Sequence, residues 1–240
     1  MPKSASCKPF ESPGVLSLVR AIVRDDAPEV AKLLGMSPFL ARECLIVGAT
    51  REAATDFSFE EINHYLYAGD TPLHAAAAAY RIDIARALIE NGADIAARNR
   101  RGAEPLHYAD DGVPGSSTWN SQAQAEMITL LINAGANPNA LDKSGVAPLH
   151  RAVRQRCPGA VDSLLRNAAA VRLKNKSGST PLHLAVQNTG RGGTGSPESK
   201  SYQREIIGLL LKAGADPRDK DGRGNTARQC TQSDWIHGQL

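Results

Sequence analysis

The chain has 240 residues, a formal net charge of +3 and an aromatic content of only 5%, which suits thin layers of helices better than one thick core. Its four cysteines are widely spaced and include no Cys-x-x-Cys pair, so they give no support for a disulfide framework or a zinc site. No stretch approaches the roughly 18 consecutive apolar residues that a membrane helix needs. The N-terminus has no apolar run of signal-peptide length, and we therefore expect a soluble, cytoplasmic protein.

The N-terminal part of the chain predicts a cap followed by an irregular connection. We expect residues 1–13, which hold lysines, serines and prolines, to be disordered. Apolar residues at helical spacing predict short amphipathic helices at residues 15–23 and 28–34. Within residues 40–68, aromatic and apolar side chains predict a packed connection with a short helix around residues 60–66.

A Pro-Leu-His tripeptide recurs through the rest of the chain. Successive histidines of this motif are 33, 43 and 33 residues apart. Threonine precedes the proline in the first and the last copy. The four copies are Pro72-Leu73-His74, Pro105-Leu106-His107, Pro148-Leu149-His150 and Pro181-Leu182-His183.

A second landmark, an apolar pair followed by Gly-Ala, marks the end of the second helix in each repeat. Glycine ends a helix there because it tolerates the left-handed conformation. Ala168 replaces it in the third repeat, where we expect mild strain or a different helix end. The two landmarks together place insertions at residues 110–122 and 188–200, both between the first and second helix of a repeat. The landmark glycines are Gly92, Gly135 and Gly214.

The 33-residue period and the Thr-Pro-Leu-His motif resemble those of the ankyrin-repeat family. The resemblance covers residues 67–240 and implies an all-α solenoid of helix-turn-helix repeats with hairpin-like turns, made of four recognisable repeats plus N- and C-terminal caps. The expected boundaries are 1–13 for the tail, 14–66 for the N-terminal capping repeat and irregular connection, about 67–98, 99–141, 142–174 and 175–220 for the repeats, and 221–240 for the C-terminal cap.

Four of the six histidines belong to these motifs and are predicted to be structural. The threonine can cap the helix, the proline suits its first position, and the histidine can bridge neighbouring turns. Ala147 replaces the threonine and should cost its repeat roughly 1 kcal/mol. Histidines one layer apart do not converge on an ion, and the chain has no phosphate loop, zinc helix or nucleophile elbow. We therefore predict no metal, no cofactor and no enzymatic activity.

The resemblance implies a concave binding surface formed by the turn tips and the first helices. Of eighteen positions that it assigns to this surface, nine are basic and one is acidic. Charge of one sign on a rigid face accelerates association with acidic partners, and an aromatic side chain among the cations could act as an anchor. The predicted partner-binding residues are Arg98, Arg100, Arg101, Tyr108, Lys143, Arg151, Arg154, Lys174, Lys176, Lys220, Arg223 and Trp119.

The two insertions are the other departure from the repeat. Trp119 lies in the first one, where it is either tucked onto the stack or presented to a partner, and both remain open at this point. The insertions should project from the same edge and could form a second contact site. They could equally be tolerated loop variation, since surface insertions cost little stability.

The sequence thus predicts a monomeric adaptor or inhibitor that binds an acidic protein segment in a basic concave groove. The basic face could instead serve solubility alone, or could bind nucleic acid, although a net charge of +6 after residue 70 is modest for that role. A host-directed effector is a further alternative. An enzyme would have to use residues 40–68, where His64, Glu60 and Glu61 cluster, or the insertions.

Overall fold

The structure is a computed structural model that describes residues 13–50, 57–187, 195–231 and 233–240. The predicted N-terminal tail lies outside these ranges apart from Pro13. Residues 188–194 of the second predicted insertion also lie outside the described residues.

The described residues form an all-α solenoid, as predicted. A two-residue antiparallel pair, β1 (Ser58–Phe59) and β2 (His64–Tyr65), is the one sheet among them. The α-helices are α1 (Pro13–Val23), α2 (Ala27–Met36), α3 (Pro72–Ala78), α4 (Ile82–Glu90), α5 (Pro105–Ala109), α6 (Ser121–Asn133), α7 (Pro148–Arg154), α8 (Pro158–Arg166), α9 (Pro181–Ala185), α10 (Pro197–Lys212) and α11 (Asp234–His237). Short 3₁₀ helices cover Pro38–Arg42, Glu60–Ile62 and Ala227–Cys230.

The helices stack in two rows. The first helices α1, α3, α5, α7 and α9 contact one another in that order, and the second helices α2, α4, α6, α8 and α10 form the row behind them. The leucines of the Pro-Leu-His motifs fill the space between layers, and each is at most 2% exposed. Each layer is covered by the next one, and small residues such as alanine fill the narrow space between the helices.

The connection between the cap and the first repeat differs from the prediction in one respect. The helix expected around residues 60–66 is instead a hairpin, in which the 3₁₀ turn Glu60–Ile62 joins β1 to β2. Asn63 closes the turn in the left-handed region, with φ of 48°, which asparagine tolerates better than most residues. Phe59 packs against the core, so the aromatic pattern is satisfied by a hairpin rather than a helix.

The insertions lie between the first and second helices of their repeats, as the two landmarks indicate, but the last residues assigned to them, 121–122 and 197–200, belong to α6 and α10. In the first and third repeats, residues 79–81 and 155–157 connect the first helix to the second. In the second repeat the connection lengthens to residues 110–120, and in the fourth α9 ends at Ala185 and α10 begins at Pro197.

Each turn tip is built around an Asn or Asp side chain. The Oδ1 of Asn99 accepts hydrogen bonds from the amides of Arg101 and Ala103, at 2.8 and 3.0 Å. Asp142, Asn175 and Asp221 repeat this pattern in the following layers. Such side chains hydrogen-bond the backbone two residues on and so hold a tight turn.

The helix end at Ala168 keeps the geometry of the glycines that it replaces. Its φ is 64°, in the same left-handed region as Gly92, Gly135 and Gly214. An L-residue pays roughly 1–2 kcal/mol for this conformation, so the mild strain expected from the sequence is present.

The motif histidines join each layer to the next. Nδ1 of His74 accepts the amide of Thr71 at 3.1 Å, and its Nε2 lies 3.1 Å from the carbonyl oxygen of Ala103 in the next tip. The same two contacts recur at His107, His150 and His183. An Nδ1 that accepts and an Nε2 that donates define one neutral tautomer. Burial is the main cause that lowers the pKa of His107 to about 4.

We predict that acid weakens the stack through His107. A lowered pKa in the folded state means that the unfolded chain takes up protons first, so the contribution of neutral His107 is complete above about pH 6.5 and is lost as the pH falls towards 4. That loss amounts to at most about 3 kcal/mol. Urea unfolding at several pH values, compared between wild type and His107→Gln, measures it. An equal acid loss in both proteins would contradict the prediction.

We also predict that Ala147→Thr stabilises the third repeat by about 1 kcal/mol, because it restores a capping hydroxyl. In the equivalent sites, the Oγ1 atoms of Thr71 and Thr180 lie 2.9 and 2.8 Å from the histidine Nδ1. Thermal unfolding followed by circular dichroism gives the change, and Ala147→Val serves as the control for added bulk. If the valine variant is stabilised equally, the hydroxyl is not the cause.

Candidate partner-binding surface

The concave surface between the turn tips and the first helices is partly covered at its N-terminal end. The hairpin formed by residues 57–65 lies over it, with the His64 ring 4.5 Å from the ring of Tyr108. His64 Nε2 also lies 3.5 Å from Oδ2 of Asp111. The hairpin therefore occupies the part of the groove that belongs to the first two repeats.

Tyr108 is buried, and its predicted role as an exposed aromatic anchor is wrong. Only 1% of Tyr108 is exposed. Its hydroxyl donates a 2.7 Å hydrogen bond to Asp70, and Asn99 donates to the same hydroxyl at 2.9 Å. Burial, followed by the charge of Asp70, raises the pKa of Tyr108 well above its ordinary value. The tyrosine is held inside because Asp70 supplies a buried acceptor and His64 covers the ring.

Arg151 is also not the free groove cation that the sequence suggests. Its guanidinium donates to Asp111 and, at 3.3 Å, to Asp142, and its side chain is 17% exposed. Burial alone would raise the pKa of Asp111, but hydrogen bonds from His64 and Arg151 lower it overall. The charge of Arg151 is therefore compensated by two carboxylates within the protein.

The three arginines of the second tip are exposed but engaged. Arg98 Nε donates to Oε1 of the buried Glu104 at 3.0 Å. Arg100 donates to the carbonyl oxygen of Ala49. Its guanidinium lies 5.2 Å from the centre of the Tyr67 ring, and that of Arg101 lies 4.1 Å from it. Arg100 and Arg101 thus hold the N-terminal connection against the stack, whereas Arg98 pairs within the repeats.

The predicted cations of the later layers are exposed and less engaged. Lys174 donates a hydrogen bond from its Nζ to the backbone carbonyl oxygen of Lys220 at 2.8 Å. The others have no carboxylate oxygen within 4.0 Å in the part of the chain that the structure describes. They are Lys143, Lys176 and Arg223 on the tips, together with Arg154 at the end of α7.

Trp119 is tucked onto the stack. Its Nε1 donates to Oε1 of Gln124 at 3.0 Å, and Gln124 in turn donates to the carbonyl oxygen of Ala109 at 2.9 Å. The Trp119 ring also meets the edge of Tyr202 in α10, with 6.2 Å between ring centres. The first insertion is thus folded back and bridges towards the fourth repeat.

Asp110 is buried and is not among the residues that the sequence predicted to be functional. It stands at the repeat position that holds Ala77, Val153 and Val186 in the other layers, and neither of its carboxyl oxygens has a hydrogen-bond partner. Burial, followed by the charge of Asp111, raises its pKa well above the ordinary value. An aspartate at an otherwise apolar repeat position is a signal that the sequence already contains.

The hairpin does not assemble a catalytic cluster with the residues that the enzyme alternative named. His64 lines a cavity of about 120 Å³ with Tyr108, Asp111 and Arg151, and Glu60 does not line it. Glu61 lines a different cavity of about 290 Å³.

Among the described residues, no group of three or more His, Cys, Asp or Glu side chains could hold a metal ion. No helix within the described ranges is long and apolar enough to cross a membrane.

Comparison with known families agrees with this architecture. A model described as ankyrin repeats in three copies matches residues 119–221, and a single ankyrin-repeat model matches residues 68–100. The chain belongs to the ankyrin-repeat family. Members of this family are generally non-enzymatic protein-interaction modules, and the repeats of this chain form a protein-interaction module.

Several curated proteins are similar to part of this chain. Mouse Ankyrin repeat and SOCS box protein 16 is 34% identical over 150 residues, covering 61% of this chain and 31% of the relative. The zebrafish Neurogenic locus notch homolog protein 1 is 30% identical over 179 residues, covering 59% of this chain and 7% of the relative. Mouse B-cell lymphoma 3 protein homolog is 34% identical over 109 residues, covering 42% and 21%. The matches thus span about a third or less of these relatives.

We predict that Asp110→Val stabilises the protein by about 1–3 kcal/mol, because it removes an unpaired buried polar group. A raised pKa in the folded state means that the unfolded chain releases the proton first, so wild type loses stability as the pH rises above about 4. The advantage of the valine variant should therefore grow between pH 4 and 7. Denaturant unfolding at both pH values measures this difference.

The neighbouring Asp111 offers a matched control with the opposite expectation. Asp111→Asn weakens the pairing with Arg151 and should destabilise the protein at neutral pH. If Asp110→Val destabilises the protein at every pH, the carboxyl has a partner and the prediction is wrong.

Proposed function

We propose that this chain is a monomeric, cytoplasmic, non-enzymatic adaptor or inhibitor that binds an acidic protein segment. The observation that carries the proposal is the set of exposed cations without carboxylate partners in the later layers. We call Lys143, Lys176 and Arg223 the cation row, and Arg154 at the end of α7 is a further exposed cation.

The proposed binding surface is displaced towards the C-terminus relative to the sequence prediction. In the first two repeats, the hairpin covers the groove and Tyr67 holds the guanidinium groups of Arg100 and Arg101. In the third repeat, the charge of Arg151 is neutralised internally. An acidic segment would therefore find unpaired positive charge beginning at Lys143.

The size of the electrostatic effect is consistent with an adaptor role. Each exposed ion pair contributes about 0.2–1 kcal/mol, so the cation row favours a partner without binding it irreversibly. Complementary charge raises the rate of association more than the affinity. Contacts from the first helices would have to supply the remaining binding energy.

We predict that the double variant Lys143→Glu, Lys176→Glu loses at least tenfold of its capture of the natural partner, because attraction becomes repulsion. Affinity purification from native lysate with mass spectrometry identifies the retained proteins, and titration with the purified partner gives the affinity. We expect the partner's binding region to be acidic.

The matched control is Arg86→Glu, Lys212→Glu, which changes the net charge equally. Both residues are exposed on the row of second helices, away from the groove. Reversal of Arg98, Arg100 and Arg101 is a poorer test, since Arg100 and Arg101 also hold the N-terminal connection. Unchanged capture by the Lys143 and Lys176 variant would sink the proposal. Steeply salt-dependent binding of DNA or RNA would favour the nucleic-acid alternative.

A further inference from the structure

The turn tips are stacked in register, which fixes where the cations stand. The amide of Lys143 donates to the carbonyl oxygen of Arg101 at 2.9 Å, and the amide of Lys176 donates to that of Ser144 at 3.4 Å. Gly222 repeats the contact with Ser177 at 2.9 Å. Each donor is the residue that follows the Asn or Asp of its tip, so the three occupy equivalent positions in consecutive layers.

The lysine side chains are directed by the tips on which they lie. A Cβ atom added to Gly102 would lie 3.1 Å from Cγ of Lys143, and one added to Gly145 would lie 2.9 Å from Cγ of Lys176. Each aliphatic stem therefore crosses the glycine of the preceding tip. In the cap, the equivalent position is Gly222, and Arg223 next to it supplies the charge. The two lysines therefore stand at equivalent positions in consecutive layers, and the cap adds an exposed cation one residue after the third such position.

The spacing of the cation row selects among the conformations that a bound segment can adopt. Packed helices lie about 8–10 Å apart, so consecutive cations are about one such step apart. A β-strand advances about 3.3 Å per residue, so three residues span this distance. Its side chains alternate between two faces, however, and those of residues i and i+3 point to opposite faces. A polyproline II helix has three residues per turn and advances about 3.1 Å per residue. In this helix the side chains of residues i and i+3 lie on the same face, about 9.3 Å apart.

An α-helix also places every seventh side chain on one face, about 10.5 Å apart. Meeting three layers would then require a helix of about 15 residues, against about seven in polyproline II. Ordering each residue costs about 1–2 kcal/mol, so the α-helix carries the larger entropic cost for the same number of ion pairs. Unfolded chains already populate polyproline II, which lowers the cost further.

We infer that the acidic segment binds the cation row as a polyproline II stretch with a carboxylate at every third residue. This inference rests on the proposed function, since it specifies the partner of the same surface. It names a ligand by its chemistry: an extended, proline-compatible segment whose glutamates or aspartates match Lys143, Lys176 and Arg223 in turn.

The test uses the full chain and synthetic peptides of equal composition. One peptide repeats Glu-Pro-Pro three times, and its control carries three consecutive glutamates followed by six prolines. A third peptide has glutamine in place of glutamate at the spaced positions. Amide chemical shifts of Lys143 and Lys176, followed by nuclear magnetic resonance at millimolar peptide, report weak binding and its dissociation constant.

We expect the spaced peptide to bind about fivefold tighter than the block peptide, since two further ion pairs form and each adds roughly 1.4- to 5-fold. The difference should disappear in Lys143→Glu, Lys176→Glu and persist in Arg86→Glu, Lys212→Glu. The glutamine peptide should not bind measurably.

The remaining outcomes separate the two proposals. Equal binding of the spaced and block peptides, lost in the Lys143 and Lys176 variant, would overturn the spacing and leave the acidic partner standing. A fourth peptide, helical and with glutamate at every seventh residue, tests the other conformation, and tighter binding of this peptide would overturn polyproline II. Binding of neither acidic peptide, or equal binding of the glutamine peptide, would overturn both the spacing and the acidic partner.

Discussion

The structure depends on one hydrogen bond that is repeated at every layer, from the motif histidine to the carbonyl oxygen of the next tip. The layers are thin and poor in aromatic residues, so apolar packing alone does not fix how far apart they lie. A polar contact between each first helix and the turn tip of the next repeat sets this distance. Histidine makes this contact because it accepts from its own helix cap at Nδ1 and donates across the layer at Nε2. It does so only while neutral, which ties the integrity of the stack to pH.

The departures from the repeat that alter the groove lie towards its N-terminal end and have a common effect. The hairpin covers Tyr108, whose hydroxyl donates a hydrogen bond to Asp70. Asp111 and Asp142 pair with Arg151 and neutralise its charge. The N-terminal half of the groove is thus closed by internal contacts. The later layers keep simple tips, and their lysines remain exposed. The protein-interaction module therefore has two unequal halves, and the free positive charge belongs to the second.

Sequence reasoning succeeded wherever a signal recurred at the repeat period. The two landmarks located both insertions between the helices of their repeats, and the left-handed strain at Ala168 followed from its register. Reasoning failed where exposure depended on distant parts of the chain. Tyr108 and Arg151 occupy positions that are open in a regular repeat, yet here they are covered or paired by His64 and Asp111. Trp119 could not be assigned from its loop, because its partners Gln124 and Tyr202 come from other elements.

The sequence by itself determined the family, the fold, the number of recognisable repeats and the structural role of the histidines, because each of these follows from local residue patterns that repeat along the chain. Only the tertiary structure decided which groove positions are available to a partner. Availability depends on what packs over a residue and which carboxylates reach it. Residues 57–65 reach the second repeat, and Asp111 of that repeat reaches Arg151 of the third, through contacts that no local pattern encodes.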